Sequence, residues 1–129
     1  MADVNRGNRP LSPFMIGPYY RPQLTSISSI MVRITGIASL GAAVLVVAWL
    51  LAAATSPSLF ACIDGLLRSV VGDLVLFAAS WAIFYHMLGR LRHVIWDFGY
   101  CLEVSTSEKM ARGMFVGATL LAILAAVIL

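Results

Sequence analysis

Three long stretches of this chain are almost wholly apolar, and the polar residues gather between them. The stretches cover residues 29–54, 67–95 and 108–129. Each has the roughly 20 residues that an α-helix needs to cross a bilayer. A backbone in lipid has no water to bond with, so such segments must satisfy their hydrogen bonds internally as helices. The pattern predicts three transmembrane helices.

The composition of the whole chain agrees with this prediction. The chain has 129 residues, of which 60% are hydrophobic and 12% charged. A soluble domain is about half apolar and about a quarter charged, and a domain of this size has too small a core to bury the surplus. We therefore predict an all-α membrane protein. Residues 1–28 form its N-terminal segment, and residues 29–129 form a three-helix anchor.

The basic residues predict how these helices are oriented. Eight of the nine Lys and Arg residues lie on the side that carries the N-terminus and the second connection, and Arg68 lies on the other. Basic residues stay preferentially on the cytoplasmic side of a membrane. We therefore expect a cytoplasmic N-terminus and a C-terminus outside. Basic clusters at membrane ends also fit a topology signal better than a nucleic-acid footprint, so we expect no nucleic-acid partner.

The N-terminus and the cysteines add two further expectations. The first residues are polar and proline-containing and lack the apolar region of a signal peptide, while Asp3 argues against a mitochondrial presequence. We expect a protein of the bacterial inner membrane without a cleaved leader. Cys62 and Cys101 fall on opposite sides of the predicted membrane, so we expect them to be unpaired.

The end of the second apolar stretch is unusually polar. The segment "YHMLGRLRHVIWDFGY" carries five ionisable side chains: His86, Arg90, Arg92, His93 and Asp97. Lipid penalises such residues, and within membrane helices they usually mark a functional site. All but Arg92 recur at spacings that put them on one helix face, and Arg92 lies beside that face. The segment predicts a binding site at the cytoplasmic end of the second helix.

His86 lies deepest of this group, about 9 Å further into the membrane than Arg92 at 1.5 Å per residue. Two interpretations stay open from spacing alone. The imidazole can form a hydrogen bond to a neighbouring helix, or it can be an axial ligand of haem iron. His93 lies about 10.5 Å away along the same helix, so both histidines cannot bind one iron from opposite faces. A second ligand then comes from another polypeptide or, less favourably, from Met31.

The first helix carries a polar pair on the same side of the membrane. Ser29 and Arg33 are four residues apart and share a helix face. The arginine can snorkel to the interface. It can also bind a haem propionate or a quinone oxygen, with Ser29 as a hydroxyl donor one turn away. The spacing does not decide between these interpretations.

Three sequence blocks resemble the cytochrome b subunit of succinate dehydrogenase, one of two membrane anchors of respiratory complex II. They are "RPLSP" from residue 9, "SIMVRITG" from residue 29 and "HMLGRLRHVIWDFGY" from residue 86. The resemblance implies a role in electron transfer from succinate to ubiquinone. It also implies three partners, which are a flavoprotein subunit, an iron–sulfur subunit and a second membrane anchor. The succinate chemistry would belong to the flavoprotein subunit.

The resemblance also implies roles for individual residues. His86 matches the axial ligand of haem b, whose second ligand comes from another subunit, and Ser29 and Arg33 match residues that line the ubiquinone site. It assigns a larger set of residues to the haem propionates and to the interface with the soluble subunits: Arg33, Arg90, Arg92, His93 and Asp97.

This chain departs from the family pattern at three positions. Val32 stands where the family has a histidine, Arg90 where it has a small residue, and Phe14 where a histidine often follows "RPLSP". Arg90 can replace, from the opposing helix, the polar group that Val32 removes. Three alternatives remain: a haem-free structural anchor, the related quinol:fumarate reductase, and an unrelated small membrane protein.

Overall fold

The computed structural model describes residues 13–17 and 20–128, and the described chain folds into a bundle of helices. The bounds of the four α-helices are α1 Leu24–Thr55, α2 Pro57–Leu67, α3 Val70–Asp97 and α4 Val104–Ile128. A short 3₁₀ helix, Pro13–Met15, precedes them. Half of the predicted segment 1–28, including the start of the block at residue 9, lies outside the described residues.

Helices α1, α3 and α4 are long and apolar enough to cross a membrane, which confirms the predicted all-α fold with three spans. Early residues of one span contact late residues of the next. Ser28, near the start of α1, contacts Arg92, near the end of α3. Along α3 and α4, Trp81 contacts Thr119 and Tyr85 contacts Phe115. Neighbouring spans are therefore antiparallel. The start of α1, the end of α3 and the start of α4 lie together, and we call this the basic end.

The first connection contains a helix that the hydropathy pattern did not predict. The 11-residue α2 begins at Pro57, and its N-terminus is capped by the Ser56 hydroxyl, which accepts from Leu59 N at 3.3 Å. Asp64 accepts from Trp49 Nε1 at 3.2 Å and from Arg68 Nε at 2.7 Å. The bond from Trp49 holds α2 against the far end of α1.

The spans also begin and end differently from their predicted bounds. Helix α1 begins at Leu24 and α4 at Val104, each several residues before the predicted start. Hydropathy reports the part of a helix that lipid surrounds, and polar residues extend these helices beyond it. The second span runs from Val70 to Asp97, so it both starts and ends later than predicted.

The three spans meet in a small core. Val32 of α1, Tyr85 of α3, and Met114 and Ala118 of α4 form its buried cluster. Gly89 allows α1 to come close, because a Cβ at this position would lie 2.4 Å from Val32 Cγ2. Most large apolar side chains instead face outward, as the surface of a helix in lipid or against a membrane partner requires.

Candidate functional site

A groove between α1 and α3 opens near the basic end, with a volume of about 390 Å³. Its polar and charged lining consists of Ser29, Arg33, His86, Arg90 and His93. Val32, Gly36, Ile37 and Leu40 complete the walls. The structure thus brings five of the sequence-predicted site residues together, although they come from two separate helices.

The His86 imidazole is held by the backbone of the facing helix. Its Nδ1 lies 2.9 Å from the Val32 carbonyl oxygen. A carbonyl only accepts, so Nδ1 carries the proton and donates it to Val32 O. Nε2 then bears the lone pair and accepts from Arg90 Nε at 3.3 Å. Metal-binding histidines typically have this arrangement, in which one ring nitrogen donates to a carbonyl and the other is the ligand atom.

Gly36 makes room for this ring. A Cβ at Gly36 would lie 2.9 Å from His86 Cε1 and 3.1 Å from Nδ1. The imidazole therefore lies directly against the backbone of α1. The sequence pattern does not identify Gly36 as a site residue. Its only signal is its position one turn after Val32, which becomes informative once α1 and α3 are known to be paired.

Two arginines line the groove from opposite helices. Arg33 belongs to α1 and Arg90 to α3, and both are exposed. His93 Nδ1 donates to Gly89 O at 2.7 Å, so that ring is fixed to its own helix. Two cationic side chains on either side of a groove favour an anionic group such as a carboxylate. Val32 contributes no polar side chain here, but its carbonyl orients His86.

Arg92 lies in the core on the other side of α3. Its side chain is 2% exposed, and its Nη1 donates to Ser28 Oγ at 2.9 Å. Its guanidinium carbon lies 4.5 Å from the centre of the Trp96 ring. Tyr85, which is fully buried, donates from its hydroxyl to Ser28 O at 3.3 Å. Ser28, Tyr85 and Arg92 form a group that we call the core cluster.

Other sequence candidates lie outside the groove. Asp97 is the last residue of α3 and is exposed. Met31 packs against the core instead of lining the groove. Ser28 and Tyr85 were not among the predicted site residues, although each directly precedes one of them, Ser29 and His86.

The fold and the groove define a small helical membrane protein that presents a histidine and two arginines between its first two spans. Residues 5–126 match the succinate dehydrogenase/fumarate reductase transmembrane subunit family. The chain belongs to this family, as the three sequence blocks indicated.

Several relatives match over most of their length. The succinate dehydrogenase cytochrome b556 subunit of Paracoccus denitrificans is 47% identical over 128 residues, which cover 99% of this chain and 97% of the relative. The cytochrome b556 subunit of Rickettsia conorii is 32% identical, with 90% and 89% covered. The succinate dehydrogenase cytochrome b560 subunit of Chondrus crispus is 31% identical, with 90% and 92% covered.

Proposed function

We propose that this chain is the haem b- and ubiquinone-binding membrane anchor of a succinate dehydrogenase complex. One observation carries the proposal. A single groove holds an imidazole whose Nε2 is the acceptor nitrogen, together with a serine and an arginine one turn apart. The relatives' names, which describe cytochrome b subunits of succinate dehydrogenase, support it.

The groove residues fit a haem. His86 would hold the iron through Nε2, because its Nδ1 is engaged by Val32 O, and Arg90 would turn from Nε2 to a propionate. Arg33, Arg90 and His93 would bind the propionates. A bound haem supplies reversible one-electron transfer at the iron. The second ligand would come from another subunit, since His93 lies about 10.5 Å from His86 along the same helix and Met31 packs against the core.

Ser29 and Arg33 fit a quinone. Succinate oxidation to fumarate releases two electrons and two protons, and ubiquinone takes up two of each to become ubiquinol. Negative charge develops on a quinone carbonyl oxygen as electrons arrive. A hydroxyl donor and a guanidinium stabilise that charge in a site of low dielectric constant. This chain contributes binding and positioning, and the succinate chemistry belongs to its partners.

The partners follow from the same proposal. A flavoprotein subunit and an iron–sulfur subunit dock at the basic end, where Asp97 is exposed. A second membrane anchor covers part of the apolar surface, and lipid covers the rest. The complex lies in the bacterial inner membrane with the basic end in the cytoplasm.

His86→Ala should remove or severely perturb the haem, because the other histidine of the groove, His93, lies about 10.5 Å away along α3 and cannot take its place. His93→Ala is the matched variant and should leave an axially ligated haem. The measurement is the reduced-minus-oxidised visible spectrum of the purified complex. Opposite spectra for the two variants would exclude the ligand assignment, and an unchanged spectrum in both would favour a haem held by other subunits.

Gly36→Ala should displace the His86 ring, because the added methyl group would overlap Cε1. We expect a shifted or weakened haem spectrum, with the complex still assembled. Gly41→Ala on the same helix is the control, since a Cβ there meets nothing within 4 Å. Equal spectra for the two variants would contradict the close packing of His86 on α1.

Ser29→Ala should lower ubiquinone reduction but not succinate oxidation with an artificial acceptor that takes electrons upstream. Arg33→Leu should lower it more, by about tenfold or more, since a hydrogen bond to a charged group contributes about 1.5–3 kcal/mol. Arg33→Lys keeps the charge without the planar fork and should retain part of the activity. The measurement is the ratio of the two activities in complexes of equal subunit content.

Ser39→Ala is the control for these variants. Ser39 lies on α1, and its hydroxyl donates to Thr35 O outside the groove. Its ratio should equal that of the parent complex. If Ser29→Ala and Arg33→Leu also keep the parent ratio, the quinone binds elsewhere and Arg33 only snorkels.

Thiol labelling tests the proposed orientation. Both cysteines are exposed, Cys62 in α2 and Cys101 between α3 and α4. In a Cys101→Ser variant, a membrane-impermeant reagent should label Cys62 in intact cells. In a Cys62→Ser variant, it should label Cys101 only in inside-out vesicles. Labelling of Cys101 from outside intact cells would reverse the topology.

A further inference from the structure

Three pairs of consecutive residues divide between the core cluster and the groove. The pairs are Ser28–Ser29, Tyr85–His86 and Arg92–His93. In each pair the first residue is buried, with 0%, 0% and 2% of its surface exposed, and the second lines the groove. Each core residue is therefore the covalent neighbour of a groove residue.

The contacts of the core cluster converge on Ser28. Tyr85 bonds its carbonyl oxygen, and Arg92 bonds its hydroxyl. That hydroxyl in turn donates to Thr25 O at 2.9 Å. Two residues of α3, seven positions apart, thus hold one residue of α1 through different atoms. Contacts of this kind fix both the height and the rotation of α1 on α3.

The rotation of α1 about its axis decides which of its side chains line the groove. Ser29 is turned by about 100° from Ser28 around the helix axis, and Arg33 lies about one turn further along. A helix turn is stiff, so a shift of Ser28 moves both groove residues relative to His86. The core cluster thereby sets whether Ser29, Arg33 and His86 can contact the groups bound in the groove at the same time.

Packing alone does not account for these polar groups. The Tyr85 ring lies 5.2 Å from Trp81 and 4.8 Å from Phe115, measured between ring centres, so phenylalanine would fill the same space. A buried guanidinium is costly in a membrane helix, and among the described residues Arg92 Nε and Nη2 have no hydrogen-bond partner. An apolar residue of similar volume often stabilises a core better than a buried charge does. The polar atoms of the core cluster therefore indicate a role in aligning α1 with α3.

We infer that Ser28, Tyr85 and Arg92 are positioning residues that align the quinone-binding and histidine-bearing walls of the groove. This inference rests on the proposed function. The core cluster acts through its neighbours Ser29, His86 and His93 and touches no substrate itself. Its loss therefore loosens the binding geometry while the groove residues remain present.

Tyr85→Phe in the whole succinate dehydrogenase complex is the leading test, because it removes one hydroxyl and keeps the ring. We expect KM for ubiquinone to rise by about fivefold, the factor that corresponds to one net hydrogen bond, while kcat stays close to that of the parent. The low-spin haem signal in electron paramagnetic resonance should also shift, because His86 is the next residue. Succinate oxidation with an artificial acceptor should not change.

Ser28→Ala and two variants of Arg92 extend the test. Ser28→Ala should raise KM as Tyr85→Phe does, because it removes the acceptor of Arg92. Arg92→Leu should raise KM and shift the haem signal, whereas Arg92→Lys, which can still donate to Ser28, should recover part of both. Ser39→Ala and Tyr100→Phe are the controls, since Ser39 and Tyr100 lie outside both the groove and the core cluster, and both should keep the parent values.

The outcomes separate this inference from the proposed function. If Ser29→Ala lowers the activity ratio while Tyr85→Phe and Ser28→Ala keep the parent KM and haem signal, the quinone site stands and the positioning role is wrong. If the core variants lower only the amount of assembled complex, with KM and haem signal unchanged, their role is confined to stability and the inference also fails. If Ser29→Ala and Arg33→Leu have no effect, the quinone assignment fails. A haem shift in Tyr85→Phe then still supports alignment of His86.

Discussion

The hydrogen bond from His86 Nδ1 to the Val32 carbonyl joins the two helices that form the groove, and the rest of the site depends on it. Hydrogen bonds from histidine side chains to a neighbouring helix stabilise helix pairs in membranes, and this one forms although Val32 O also accepts from Thr35 Oγ1 at 3.1 Å. It requires the helices to approach closely. Gly36 and Gly89 allow this approach from the two sides. The charged rim of the groove is therefore built on a contact between a ring and a backbone.

The three spans and their alternating directions follow from hydropathy, because lipid leaves helices as the only way to satisfy the backbone. The limits of the helices do not follow, since polar residues continue α4 back to Val104 beyond the apolar stretch. Helix α2 was not predicted from the hydropathy pattern, for a related reason. Its apolar residues are too few to span a membrane, and Asp64 interrupts them. The residue that bonds this carboxylate, Trp49, lies 15 residues earlier, so the sequence pattern does not reveal the contact.

The groove could be predicted one helix face at a time. Periodicity grouped His86 with Arg90 and His93, and Ser29 with Arg33, and the family blocks linked the two faces. Periodicity does not say which side of a helix its neighbour covers. The burial of Arg92, the role of Gly36 and the contacts of Ser28 depend on how α1 lies against α3, and these features needed the structure. The hydrogen bond to the neighbouring helix is present, and it does not exclude the other interpretation of His86, since the second ring nitrogen is on the groove side.

The division of adjacent residues between core and groove has a consequence for how such a chain can change in length. Tyr85 and Arg92, like His86 and His93, are seven residues apart, which is close to two helical turns. One residue inserted between them would turn everything beyond it by about 100° and move Arg92 from the core face of α3 to the groove face. The same insertion in the loop between Asp97 and Val104 would leave every helix register intact. Related sequences should therefore differ in length in the loops, while the pairs Tyr85–His86 and Arg92–His93 stay the same number of residues apart.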